Sequence, residues 1–270
     1  MATTYIGTPA YTASITIPSD GDLASAASVN NPTKSEADMD YFILQAAGNL
    51  TQGSPISLYS TDLATIDVGP VSLAIVTETG LYTAVSTNAV QNIGVAQLET
   101  GVNYVASTWY YIYIYSVAGV AAFQISTTVP DTFRQYKATS TSHKYIGSFR
   151  TNGGGQPIRF YAIRGIYTYL DDVSVSSGNA TTETVVATNG YVPPTSRLVN
   201  LHLSYDNTAG ATSSFQIIST PTTTGVTFVA FASAVSDLTY QFMTYTDQTM
   251  RYKVGNASVS LTISVLGYTE

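Results

Sequence analysis

The sequence predicts a mainly β protein: a short N-terminal helical segment followed by two antiparallel β-sandwich-like domains. Three observations carry that expectation. Ser and Thr make up about a quarter of the 270 residues and Tyr adds 21 more, a mixture that favours strands and turns over helices. Apolar and hydroxyl residues alternate with a period of two at several places, the mark of a half-buried strand. Gly, Pro and polar clusters interrupt the apolar runs at short intervals. With 44% hydrophobic residues the chain is too apolar for disorder, and zero cysteines exclude a disulfide scaffold.

The helical signals lie near the N-terminus. Asp22 is a candidate N-cap for Leu23–Ala27. Thr33-Lys-Ser-Glu36 reads as a capping box, in which the Thr hydroxyl reaches the N3 amide and Glu36 reaches back. Met39, Phe42, Ile43 and Leu44 follow, with Gly48 placed to end the helix. After Gly48 every segment reads as β. The strongest strand is Val102–Val117: Trp109, Tyr111, Tyr113 and Tyr115 fall on one face, and Tyr110, Ile112 and Ile114 on the other. Bulk on both faces predicts a central strand covered on both sides, inside a core or against a sister subunit. Tyr145–Arg150, Ile158–Ile163 and Ile166–Leu170 follow, with Asn152-Gly-Gly-Gly155 as a turn. Ser174–Thr184 has one apolar residue, Val175, and reads as a domain boundary. The expected units are thus an attachment segment over 1–50, a β domain over 51–178 and a C-terminal β domain over 185–270. In the last unit Leu201, Leu203 and Tyr205 alternate with polar residues. Val259, Leu261, Ile263 and Val265 do the same against Ser258, Ser260, Thr262 and Ser264.

Charge narrows the partners. The net charge is −7, and only 10% of residues are charged, against about 25% in an ordinary globular protein. A nucleic-acid binder needs clustered Lys and Arg, so none is expected. The distribution is uneven: from Arg134 to Arg164 there are six bases and no acids. That segment reads as scattered strand-edge charges or, alternatively, as a surface for an acidic partner. No stretch approaches the roughly 18–20 apolar residues of a membrane helix, and Met1–Tyr5 lacks the basic start of a secretory leader.

The motifs for catalysis are missing. His143 and His202 are the two histidines; alternation sets His202 on the polar face of its strand, and His143 lies in an expected loop. No metal or cofactor is expected. Asp171-Asp172 is the adjacent acid pair of the β region, yet neighbours on a strand point to opposite faces, unlike glycosidase carboxylates about 5–10 Å apart across one bond. Glu78 and Glu99 read as turn residues, and Asn49, Asn179 and Asn256 head glycosylation-like triplets by composition. The chain is therefore read as not an enzyme. Tyrosines supply flat apolar faces with a polar tip, and Tyr240 and Tyr245 are the candidate surface-binding aromatics.

Two stretches resemble bacteriophage virion proteins of the tail-fibre and particle-surface type. One is Ala13-Ser-Ile-Thr-Ile-Pro-Ser-Asp-Gly-Asp22 with Ala26-Ala-Ser-Val-Asn30. The other is Thr108-Trp-Tyr-Tyr-Ile-Tyr-Ile-Tyr115, then Phe123-Gln-Ile-Ser-Thr-Thr-Val-Pro130 and Tyr145-Ile-Gly-Ser-Phe-Arg-Thr151. Together they cover roughly 60–70 residues. There is no long repetitive shaft, which leaves a short fibre, a spike or a capsid decoration. The resemblance implies a homotrimer on the virion surface, assembled in the host cytoplasm and fixed to other virion proteins by its N-terminal region. Ile15, Ile17, Phe42 and Leu44 are the candidate attachment and oligomer residues, and a host surface glycan is a candidate partner. A free carbohydrate-binding module and a polysaccharide depolymerase are the alternatives.

Overall fold

The computed structural model describes residues 3–6, 14–17, 56–60, 62–80, 82–196, 198–208, 210–219, 225–243 and 248–270. They form a mainly β protein in several sheets, with every strand pairing antiparallel. Among the described residues the one helical element is a 3-10 turn at Val95–Gln97. The expected helix with Phe42 and Leu44 lies outside the described residues, as does Tyr245. Ile15 and Ile17 lie on β2 (Ser14–Ile17), which pairs with β1 (Thr3–Ile6) so that Ile15 faces Tyr5 and Ile17 faces Thr3 across the ribbon.

An eight-stranded sheet is the spine of the remainder. In spatial order it holds β18 (Val235–Met243), β15 (Leu198–Asp206), β20 (Ser260–Thr269), β13 (Ile166–Gly178), β12 (Phe160–Ile163), β3 (Ser57–Ser60), β4 (Ile66–Val68) and β7 (Gln91–Ile93). A first four-stranded sheet runs β10 (Tyr136–Lys137), β11 (Ser140–Arg150), β8 (Trp109–Val117), β9 (Val120–Ser126). A second runs β14 (Thr184–Ala187), β19 (Thr249–Val254), β16 (Ser213–Ser219), β17 (Gly225–Ala230). The hairpin of β5 (Ser72–Val76) and β6 (Tyr82–Ser86) stands apart.

Alternation explains the packing. Val199, Leu201, Leu203 and Tyr205 of β15 are buried, and so are Leu261, Ile263 and Val265 of β20. They join Phe215, Ile217, Met250 and Tyr252 of the second four-stranded sheet in one core. That core also includes Leu58 and Ile66 of the spine and Ile112 and Phe149 of the first four-stranded sheet. Each such side chain contributes about 1.5–3 kcal/mol of burial free energy. The first part of the Ser174–Thr184 segment, which lacks apolar residues other than Val175, is strand. β13 continues to Gly178, with Ser174, Ser176 and Ser177 paired to Ser264, Ile263 and Thr262 of β20, because hydroxyl residues can form a ladder as well as a linker.

β8 has the two-sided burial read from its sequence. Tyr110 to Ile114 are all at most 3% exposed. Ile114 packs with Val71, Ile75 and Val85, which include the β5–β6 hairpin. On the opposite face Trp109 meets Tyr268 of β20 edge to face at 5.9 Å. Two hairpins close with two-residue loops in which both residues have positive φ: Ala118 and Gly119 (51° and 84°), and Arg164 and Gly165 (56° and 76°). That geometry matches the twist of the flanking strands.

At Gly267, between β13 and β15, a Cβ would lie 1.9 Å from the Tyr167 carbonyl oxygen. Gly267→Ala is expected to lower stability by roughly 3 kcal/mol or more, since backbone on a central strand has nowhere to move. Gly153→Ala, where a Cβ meets nothing within 4 Å, is the control, with a change under about 0.5 kcal/mol in a denaturant titration.

Candidate functional site

Where β8 and β11 face β13 and β20, tyrosines from all four strands enclose the carboxylate of Glu270, the residue after β20. Tyr145 donates to its Oε2 at 2.6 Å, Ser148 to its Oε1 at 2.9 Å, and the Thr195 hydroxyl also donates to Oε1. Tyr167 accepts from the Ser148 amide at 3.0 Å and stacks on Tyr268, with centroids 4.3 Å apart. Burial raises the Glu270 carboxyl above its usual range, and the hydroxyls of Thr195, Tyr145, Ser148 and Tyr167 reverse part of that rise. Burial, with the carboxylate adding to it, also pushes the phenols of Tyr145 and Tyr167 well up. The group is a polar bolt between two sheets, with its acceptors filled by protein donors.

A second cluster lies on the first four-stranded sheet. Lys137, with 4% of its side chain exposed, forms an ion pair with Glu99, donates to Gln124 Oε1 at 2.8 Å, and stands 6.0 Å from the centre of the Tyr113 ring. Burial raises the Glu99 carboxyl, but the Lys137 ammonium and the Ser126 hydroxyl outweigh it and hold the group below its usual range. Glu99 is thus the partner of a buried cation and not simply a turn residue. His143 is on strand β11, not in a loop, because Ser140–Arg150 pairs with β10 and β8. Its ring stacks on Tyr115 at 4.5 Å, and Nδ1 lies 3.0 Å from the Ser140 hydroxyl and 3.1 Å from that of Ser142. Burial first, then the Lys137 charge, depress its pKa. Beside it Glu78, Ala138, Thr139, Ser140, Thr141 and Ser142 line a shallow polar hollow of ≈ 420 Å³.

The bases between Arg134 and Arg164 are mostly engaged within the fold. Arg134 donates to the Thr195 carbonyl at 2.7 Å, Lys144 to that of Ala74 at 3.3 Å and Arg150 to that of Ser107 at 3.2 Å. Arg159 forms a two-pronged pair with Asp171, at 3.1 and 2.6 Å. The scattered-charge reading of this segment therefore describes the structure better than a basic patch. Arg164 differs: it stands at the β12–β13 turn, where Tyr161, Ile163, Ile166 and Thr168 line an open hollow of ≈ 420 Å³ with it. Tyr161, Ile163 and Ile166 are about half exposed (47%, 49% and 53%), a cross-strand apolar patch on the outer face of the spine.

The remaining candidates are dispersed. Asp171 is exposed on β13 and occupied by Arg159. His202 Nε2 lies 3.4 Å from Asp237 across β15 and β18. Tyr240 is half-buried, its ring edge-on to Phe228 at 5.3 Å, so its phenyl face is used in packing. The Asn179 side-chain amide donates to the Ala257 carbonyl at 3.0 Å, and the Asn256 side chain accepts from the Ser258 amide at 3.0 Å. Among the described residues no three His, Cys, Asp or Glu side chains gather as metal ligands, and no helix is long and apolar enough to cross a membrane. Neither Glu270 nor the Lys137–Glu99 pair was visible in the sequence as a site: their partners lie 13 to 125 residues away, and no local motif marks them.

Two substitutions test the buried groups. Glu99→Gln leaves the Lys137 ammonium without its counter-charge and is expected to cost roughly 3 kcal/mol in chemical unfolding; adding Lys137→Met should recover a large part. Glu270 titrates above its unfolded value, so its favourable contribution is complete below about pH 4.5 and is lost as pH rises through the folded value. Glu270→Gln removes this titration. Its stability relative to the wild type should therefore improve as pH rises above about 4.5, and a flat difference would contradict the raised carboxyl.

No family model matches the chain, and no curated protein matches it. Among solved structures, a Bacillus thuringiensis Cry1Da tryptic core variant aligns with 80% of this chain and 52% of its own, at 10% identity and a TM-score of 0.23. This chain thus spans about half of that one, and a likeness at that level carries no argument about fold or function.

Proposed function

We propose that this chain is a non-enzymatic structural protein of a bacteriophage particle: a short homotrimeric fibre or spike, or a capsid decoration, joined to other virion proteins by its N-terminal segment. The observation that carries this reading is where the chain enters the β region. Ile56 leads into β3, and its carbonyl accepts the Arg164 amide at 3.3 Å. Ile56, from which the described body begins, therefore lies at the same hairpin tip that bears the exposed Tyr161, Ile163 and Ile166 patch. An attachment segment and an apolar contact surface at one place suit a protein held by one end. In this reading the spine and its two four-stranded partners make two sandwich-like units, 51–178 and 185–270, the second displayed outward. Three copies on one spike would strengthen weak host contacts through effective concentration.

The polar hollow of Glu78, Ser140 and Ser142 favours a second reading, a weak carbohydrate-binding module, because hydroxyls and a carboxylate in a shallow cleft match the edge of a sugar ring. The two readings separate on the intact particle. Density or antibody label for this protein on purified virions is expected, and Ile163→Lys with Ile166→Lys should lower its incorporation about tenfold or more without unfolding it. Finding the protein only in infected-cell lysate, with glycan bound by an isolated monomer and lost on Glu78→Ala, would replace the virion reading with the carbohydrate one.

A further inference from the structure

Among the described residues the longest strand at any sheet boundary is β18. The strands ending the three larger sheets otherwise have three residues (β7), two (β10), four (β14), six (β17) and seven (β9). β18 has nine. The outer edge of β9 is met by Leu98, which bridges Ile125, and by the Glu99 amide, which donates to the Ile125 carbonyl at 2.8 Å. β18 pairs with β15 alone, residue for residue from Val235 to Met243 and without a bulge. Among the described residues no strand lies along its other side.

Soluble proteins usually protect such an edge with Lys, Pro, a bulge or a short strand. β18 has none of these, and its one charge, Asp237, is turned toward His202 of β15. The strand is also held in place. The Asn207 amide group donates to the carbonyls of Ala230 and Phe231 at 3.1 and 3.0 Å, its backbone carbonyl accepts from Ser233 at 3.1 Å, and its backbone amide donates to Ala234 at 2.9 Å. Leu238, Tyr240 and Phe242 pack on the core side, while Val235 and Met243, at 60% and 66% exposure, stand at the two ends of the solvent face.

We propose that β18 pairs antiparallel with β18 of a second copy about a twofold axis at Thr239, continuing the eight-stranded spine from one copy into the next. The strand is self-complementary in that register. Val235 lies opposite the partner's Met243, Asp237 opposite the partner's Gln241, Leu238 opposite the partner's Tyr240, and all nine residues are used. Centring the pair on Asp237 instead would shorten it and set two carboxylates face to face, which is unfavourable. Opposed residues share a face in antiparallel sheets, so both cores stay on the same side and the exposed apolar ends are covered mutually. Backbone hydrogen bonds supply the attraction and side-chain register supplies the choice of partner. The contact does not rest on the virion reading. It pairs copies two by two, and in a homotrimer all three edges meet those of one other trimer, so either assembly doubles.

The test is the native mass of the full chain in three forms at one concentration. Val235→Lys with Met243→Lys sets two ammonium groups opposite each other at both ends; its mass is expected to be half that of the wild type. Val235→Lys with Met243→Glu makes both end pairs complementary and is expected to restore the wild-type mass. Both positions are exposed, so both variants should remain folded, with a drop in thermal midpoint no larger than the loss of association itself brings. Equal masses for all three forms would overturn the proposal, as would a folded charge-paired variant that stays at half mass. Amide exchange of the wild type needs no variant: slow exchange at alternate residues along the outer edge of β18 supports the pairing, and exchange at the rate of a free edge refutes it.

Discussion

The hydroxyl-filled carboxylate of Glu270 is the constraint on which the meeting of the sheets depends. A buried carboxylate is tolerated only where its acceptor sites are filled. Tyr145 and Ser148 on β11 and Thr195 before β15 supply three donors from two separate parts of the chain. None of them can move alone without leaving a polar atom unpaired in the interior. The network therefore sets the position of the first four-stranded sheet on the spine more narrowly than hydrophobic contact, which is non-directional. The stacked Tyr167 and Tyr268 rings and the edge of Trp109 complete the wall around it.

The same economy appears in the few charges the chain has. Lys137 is inside the first four-stranded sheet with Glu99, Arg159 clasps Asp171, and Arg150 stacks over Tyr191 at 5.5 Å. With so many cations engaged internally, the outside consists mainly of hydroxyl and amide groups and scattered apolar residues. Such a surface has little long-range electrostatic steering. It recognises partners by shape, edge hydrogen bonds and local apolar patches, such as those at the β12–β13 turn and along β18.

Much of the β architecture was legible from local pattern. The buried Leu201, Leu203 and Tyr205, the buried Leu261, Ile263 and Val265, and the doubly covered β8 follow directly from period-two alternation and bulk on both faces. His202 on the polar face of its strand follows from the same rule. The run Ser174–Ser177 reads as a linker because it has one apolar residue, and it pairs as strand because β20 offers a matching hydroxyl face. Tyr240 reads as a surface aromatic because tyrosine is amphipathic, and it packs on Phe228 because β17 passes across it.

The sequence by itself determined which residues alternate, which side of each strand is apolar, and that few charges would be left for a partner. These are properties of a residue and its near neighbours, set by the geometry of an extended chain. Tertiary structure alone decided that strands distant in the chain share one spine, that Glu270 meets Tyr145 and Ser148 across more than 120 residues, and that β18 stands at an open edge. Strand order and inter-sheet register depend on contacts between segments with no local code for one another, because any half-apolar strand can cover any other until packing and buried hydrogen bonds choose among them.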